Sequence, residues 1–397
     1  MTVISEGDLR GLAADLLAAG RAVWAPVEAE EAPRAGQADY RQLRDASEFD
    51  LHAGLPRMPL KRLFMPPTEP LFWWRREGAE IRLIPPAAAT GKVVVLGARP
   101  CDAAGAEAMD RVMGWDYRDE PWFQRREAAT VVTVACEHPA DDACFCGDVG
   151  LGPAHPRGSD LLLVPRPGGY AVEEVTDKGR ALVAAFPHRF HDDAVAASAG
   201  GRPGGEAARI DLEAVRDWLA DHFEDESWNE ISLRCHGCGA CASVCPACHC
   251  FDIVDEPDSV LAGTRRRNWD SCQASRFTVH ASGHNPREGQ HARVRQRVMH
   301  KFRVFPGRFG RVLCTGCGRC TRTCPAGQDL FEILTMVARK AADSGQPTAD
   351  TSSTPGTPTT PDTGTSSTPT PSTPGTSSTR TPSTSSTPGT FGTSERL

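Results

Sequence analysis

Residues 234–246 read RCHGCGACASVCP, and residues 314–325 read CTGCGRCTRTCP. Each stretch holds Cys-x2-Cys-x2-Cys-x3-Cys-Pro: Cys235, Cys238, Cys241 and Cys245 in the first, Cys314, Cys317, Cys320 and Cys324 in the second. This is the bacterial spacing for 4Fe-4S clusters, in which the fourth cysteine of each run ligates the other run's cluster. Three thiolates two residues apart can wrap one corner of an iron–sulfur cube. Gly237, Gly239, Gly316 and Gly318 let the backbone turn tightly and bring N–H groups towards the cluster sulfurs. The spacing therefore assigns one cluster to Cys235, Cys238, Cys241 and Cys324, and the other to Cys314, Cys317, Cys320 and Cys245. Zinc is the competing reading, but zinc uses paired Cys-x2-Cys and needs no third cysteine two residues on. The 68 residues between Cys245 and Cys314 must then loop out as an insertion between two adjacent half-motifs.

Working outward, the chain has fifteen cysteines, and seven lie outside these runs. KVVVLGA (92–98) reads as a buried strand leading through Arg99, Pro100 and Cys101 into a helix over 102–114. A second strand, ATVVTVA (129–135), ends at Cys136. Strand, helix, strand argues a right-handed βαβ unit in a parallel sheet. Cys101 and Cys136 then sit at the carboxyl edge of that sheet, where such folds place ligands. Cys101 also opens a helix, whose dipole favours a thiolate. With Cys144 and Cys146 on the following loop, these four thiols form a candidate third iron–sulfur cluster, against a zinc site or ordinary buried thiols. Cys248, Cys250 and Cys272 read first as packing beside a cluster; a further cluster completed by His249 is the alternative. His280, His284, His291 and His300 are irregularly spaced in an Arg-rich setting and read as structural or surface residues. Gly147, Gly150 and Gly152 have the wrong order for a dinucleotide loop and follow a cysteine loop, not a strand.

The 397 residues allow two or three domains. A helix is expected over 5–19, capped by Ser5 and ended by Gly20, and another over 211–224. Residues 25–60 are polar and Pro-rich, a poor source of core, and 61–77 read as an extended packed segment. Residues 192–208 read as a flexible insertion, which puts a domain boundary near 230. The expected organisation is an α/β domain with a parallel sheet (1–230), a largely α-helical two-cluster ferredoxin-like domain with a basic insertion (231–342), and a disordered Ser/Thr/Pro/Gly tail (343–397).

No run of 18 apolar residues occurs, and the N-terminus carries acids where a signal peptide needs a positive start. The expectation is a cytoplasmic protein without membrane insertion. Thiols stay reduced there, so metal ligation is the leading use of so many cysteines. The net charge of −7 is uneven: residues 265–311 hold twelve Arg or Lys against Asp270 and Glu288, a local net of +10. Taken alone, such a block reads first as a solvated charged face; an acidic partner, nucleic acid or an internal anion are the alternatives.

Five stretches together resemble one family: GARPCDAAGAEAMDRV (97–112), CEHPADDACFCGDVGLGP (136–153), RCHGCGACASVCPACHCFDIVDE (234–256), WDSCQASRFTVHASGHNPREGQHARVRQRVMHKF (269–302) and CTGCGRCTRTCPAGQDLFEIL (314–334). They resemble the iron–sulfur β subunit of the cytoplasmic sulfhydrogenases, the NAD(P)-linked nickel–iron hydrogenases. The chain is also similar to the iron–sulfur subunit of anaerobic sulfite reductase. The cysteine runs are widely shared, and the RPCD, CFC and GHNPR pieces narrow the choice. The resemblance implies a non-catalytic electron-transfer subunit. Its partners would be a flavin subunit that meets NAD(P) and a catalytic partner, which is a hydrogenase or, as runner-up, a sulfite reductase. The rival class is a nucleic-acid-binding protein with structural clusters. Aromatic interleaving in the basic block is sparse and no nucleic-acid motif is visible, so that partner is not expected.

Overall fold

The computed structural model describes residues 1–29, 38–87, 91–193 and 208–344. Most of the expected insertion at 192–208 and of the expected tail lies outside the described residues.

The chain opens with strand β1 (Thr2–Ile4), helix α1 (Glu6–Ala18) and strands β2 (Ala22–Glu28) and β3 (Ala38–Gln42). One helical turn, α2 (Lys61–Phe64), leads to β4 (Thr68–Glu77) and β5 (Glu80–Ile84). Then come β6 (Val93–Ala98), α3 (Pro100–Met113), α4 (Glu120–Ala128), β7 (Ala129–Val134), β8 (Leu161–Arg166), β9 (Gly169–Glu174), α5 (Asp177–Ala185) and β10 (His191–Asp192). The second half runs α6 (Leu212–Asp221), α7 (Ser227–Ser232), α8 (Ala240–Ser243), β11 (Phe251–Ser259), β12 (Ala262–Trp269), α9 (Gln290–Met299), a π-helical turn (His300–Val304), α10 (Phe305–Phe309), α11 (Arg319–Thr323) and α12 (Leu330–Ser344).

Eight strands form a mixed sheet in the order β10-β1-β9-β8-β7-β6-β2-β3, with β2, β6, β7 and β8 mutually parallel. The VVVLGA strand is buried because both sheet faces are covered. Val94 and Leu96 pack with Leu9, Leu12 and Leu16 of α1, while Val95 and Ala98 pack with Ala103, Ala106 and Met109 of α3 and with Trp122. Each large aliphatic side chain so buried contributes about 1.5–3 kcal/mol. Ser5 caps α1 by accepting from the Asp8 N–H at 3.0 Å. Helix α3 begins at Pro100, where a missing N–H costs nothing in the first turn.

Three expectations need correction. Residues 25–60 were a poor source of core by composition, yet Leu43, Phe49, Leu51 and Leu60 are buried there, and β2 and β3 extend the sheet. Parallel pairing of Ala22–Trp24 with Val93–Val95 recruits this segment against its weak local signal. Within 61–77, extended as expected from Thr68, Lys61–Phe64 instead forms a helical turn. The half expected to be largely α-helical also carries a strand pair, β11 and β12, which form a hairpin.

That hairpin joins β4 and β5 in a second, antiparallel sheet ordered β11-β12-β4-β5. Its strands come from both sides of residue 230, and residues 1–347 form one compact unit. The helical part of the second half has its own core, built from Val215, Trp218 and Leu219 of α6, Trp228 and Ile231 of α7, Val294 and Val298 of α9, and Ile333, Leu334 and Val337 of α12.

Candidate metal centres

The two cysteine runs fold alike. Gly239 (φ 77°) precedes the single turn α8, and Gly318 (φ 70°) precedes the single turn α11. A residue with a Cβ is disfavoured in this left-handed region, which is why the spacing carries glycine. The two turns pack against each other, so the runs meet although 68 residues separate them. Cys235, Cys238, Cys241, Cys320 and Cys324 line one pocket of about 40 Å³. Cys245 lies beside Cys314 and Cys317, close enough for its charge to bear on both thiols.

The surroundings are those of concentrated negative charge. Gln290 Nε2 donates to Cys235 Sγ at 3.1 Å, the Gln328 N–H to Cys324 Sγ at 3.3 Å, and Lys301 Nζ to Cys245 Sγ at 3.3 Å. Lys301 sits in the π-helical turn, a distortion often found at functional sites. Burial disfavours the Lys301 ammonium, but thiolate charge at Cys245, Cys248 and Cys314 outweighs this and raises its pKa above the ordinary range. Arg297 gives the sharpest observation. Its Nε and Nη2 are buried without a hydrogen-bond partner, and the thiols of Cys241, Cys320, Cys248 and Cys245 lie around it. A buried guanidinium with unmet donors is costly unless a negative group faces it. Anionic clusters held by these thiolates would supply that group, so the residues present fit 4Fe-4S centres.

A second, larger cavity of about 540 Å³ lies at the carboxyl edge of the large sheet. Cys101, Cys136, Cys144, Cys146 and Cys317 all line it. Cys101 stands in the first turn of α3, and Cys136 follows β7. The Cys144–Cys146 loop packs directly on the second run: the Phe145 N–H donates to Gly316 O at 2.7 Å, and a Cβ on Gly316 would lie 2.5 Å from the Cys146 Cα. The Cys101 thiol is hydrogen-bonded with Cys317. Arg322 Nη2 reaches Cys144 Sγ at 3.1 Å while also holding Asp141. A buried ion pair fastens the seam: Arg319, 3% exposed, bonds Asp102, 0% exposed, at 2.7 Å, and Tyr40 donates its hydroxyl proton to Asp102 at 2.8 Å.

Cys248, Cys250 and Cys272 fall beside the first run. Cys248 is hydrogen-bonded with Cys245, and Cys250 with Cys272. His249 does not join them: its Nδ1 contacts Ala247 O at 3.1 Å, and its ring meets His300 edge-on. Burial holds both imidazoles neutral, with pKa values lowered to about 4, and the second ring's charge adds to the effect at His300. His280 and His284 contact each other. Among the described residues, no three His, Cys, Asp or Glu side chains converge tightly enough to hold a single metal ion. Two sets of thiols, at Cys235 and at Cys136, instead line cavities, an arrangement that suits a polynuclear cluster, whose ligands stand farther apart.

The basic block is only in part a solvated face: Arg276 and Arg308 are exposed, but other members turn inward or pair within the chain. Arg267 is buried between Glu69 and Asp119, Arg293 and Arg295 are buried, and Arg265 and Arg266 pair with Asp255 and Glu256. The local sequence does not single out Lys61, Gln273 or Gln290. Lys61 is buried over the Trp269 ring, and its Nζ donates to Cys248 O at 2.9 Å. Nothing local marks a KRLF lysine as a cluster neighbour, since the contact spans 187 residues.

Among the described residues, no helix is long and apolar enough to cross a membrane. Residues 234–328 match the 4Fe-4S dicluster domain family. The chain is 28% identical to the sulfhydrogenase 2 subunit beta of Pyrococcus furiosus over 306 residues, which is 75% of this chain and 88% of that relative. The chain is thus similar to a sulfhydrogenase β subunit over most of its length, and residues 234–328 match a 4Fe-4S dicluster domain.

Proposed function

We propose that this protein is the iron–sulfur electron-transfer subunit of a sulfhydrogenase-like complex and carries out no bond chemistry on the complex's substrates. One cluster is held by Cys235, Cys238, Cys241 and Cys324, the other by Cys314, Cys317, Cys320 and Cys245. Cys101, Cys136, Cys144 and Cys146 hold a third iron–sulfur centre in the large cavity. When bound, the clusters supply one-electron redox capacity; the chain's residues hold them close together and set their potentials through charge, hydrogen bonds and burial.

The observation that carries this reading is the unmet donors of Arg297 among cysteines of both runs. That charge, with Lys301 and Arg319, offsets the negative clusters and favours their reduced state. The partners are a flavin subunit that meets NAD(P) and a nickel–iron catalytic subunit, and the complex is cytoplasmic. The internal pairing of the basic block disfavours a nucleic-acid surface.

The test is anaerobic purification with iron counting. About eight irons correspond to two 4Fe-4S clusters and about twelve to three such clusters. A count of four, or zinc in place of iron, would overturn the assignment. Isolation from the native host without oxygen should bring down flavin-containing and nickel-containing subunits. A siroheme protein in their place would move the reading to sulfite reduction.

A further inference from the structure

Among the described residues, three pairs of thiols are hydrogen-bonded: Cys101 with Cys317, Cys245 with Cys248, and Cys250 with Cys272. Both thiols of the first pair, and Cys245 of the second, are assigned to clusters. The third pair contains no such thiol. We propose that Cys250 and Cys272 form a redox-active dithiol–disulfide couple that exchanges two electrons with the adjacent clusters. The inference rests on the dicluster reading above.

The pair is set by the fold. Phe251 opposes Trp269 at the open end of the β11–β12 hairpin, and the Asp270 N–H donates to Cys250 O at 3.0 Å. Cys250 and Cys272 therefore emerge from two strands that are already hydrogen-bonded, and little chain entropy is lost in bringing their sulfurs together.

One side chain links the pair to the first run. Gln273, only 2% exposed, donates from Nε2 to Cys272 Sγ at 3.5 Å, and its Oε1 lies 3.7 Å from Cys235 Sγ. Its amide is fixed further by Arg293 O, to which Nε2 donates at 2.8 Å. The Cys250 thiol beside it, and then Gln273, Arg297 and Lys301, lower the Cys272 pKa against the cost of burial, which favours the thiolate, the form that reacts in thiol–disulfide chemistry.

The electron count closes without an outside reagent. Two reduced 4Fe-4S clusters each give one electron to the Cys250–Cys272 S–S bond. The bond breaks, and the two sulfurs take two protons from water to become thiols. In reverse, two oxidised clusters accept one electron each as the bond forms and the protons leave. The couple would thus store an electron pair beside two single-electron carriers. Disulfides in reducing compartments are characteristically transient and of this redox kind.

The test uses the anaerobic holoprotein poised with mediators across a potential series. At each potential, free thiols are blocked with iodoacetamide. The protein is then reduced and labelled with a heavy form of the reagent, and the Cys250 and Cys272 peptides are weighed. The expected result is that both peptides change label together, following a two-electron Nernst curve, while iron content stays constant. Cys272→Ser and, separately, Cys250→Ser should abolish that transition and leave iron content and the clusters' EPR signals unchanged. Two results would overturn the couple: both thiols remaining alkylatable at every potential in iron-loaded wild-type protein, or loss of about four irons in either variant, which would make the residue a cluster ligand. Failure of the underlying cluster reading looks different, because wild-type protein would then hold about four irons or fewer, or zinc in place of iron.

Discussion

The pocket at Cys235 and the cavity at Cys136 are both ringed with cysteine, yet they are built in different ways. The first is small, about 40 Å³, and its thiols come from two short runs with identical spacing. The second is about 540 Å³, and its thiols come from a helix start, a strand end, a loop and the second run. A site made from local repeats is tight because each turn of backbone sets the next ligand. A site made from converging elements inherits the shape of the gap between them. The two regions are also joined. Cys317 is expected as a ligand of one cluster, yet it touches Cys101 and lines the large cavity.

The largest effects should separate the regions. Cys241→Ser should cost about four irons, and Cys136→Ser should cost the iron of the cavity while sparing both runs. Iron counts with EPR on anaerobic protein decide this. Complete loss of iron in Cys136→Ser would make the two regions one cooperative unit.

The seam itself comes next. Arg319→Leu leaves Asp102 buried without its partner, and the expected destabilisation is about 3–5 kcal/mol, read from denaturant unfolding without oxygen. Adding Asp102→Leu should recover part of that loss, since two apolar groups replace a desolvated ion pair. No recovery would mean that the cost comes from packing and not from charge.

A smaller effect is expected at the glycine where the regions touch. Gly316 has φ 62°, and a Cβ there would strike the Cys146 backbone. Gly316→Ala should destabilise by about 1–3 kcal/mol. Gly152→Ala, with nothing within 4 Å of the added carbon, should change little. Equal melting temperatures for the two variants would show that the contact yields easily.

The smallest effect is a pH dependence. Burial lowers the pKa values of His249 and His300 to about 4, so the folded protein refuses protons that the unfolded chain accepts below about 6.5. Their contribution to stability is therefore complete above the unfolded value and falls as pH drops from 6.5 towards 4. His300→Phe should flatten that limb by on the order of 1 kcal/mol, after allowing for its partial exposure. Thermal midpoints at pH 5 and pH 7.5 check it, and an unchanged pH slope would place the acid sensitivity elsewhere.

The amino-acid order determined whatever depends on near neighbours. The spacing of the two runs, the glycines that turn them, the β-branched strand before Cys101 and the Ser5 cap are all local statements, and each can be read without knowing where the chain goes next. Folding decided the rest. Lys61 reaches Cys248, Arg319 reaches Asp102 and Gly316 lies on Cys146 because elements distant in sequence pack together. The same packing made core of residues 25–60 and buried Arg267, Arg293 and Arg295. Contacts of this kind depend on shape and burial across the whole unit, and a residue's own neighbours carry no record of them.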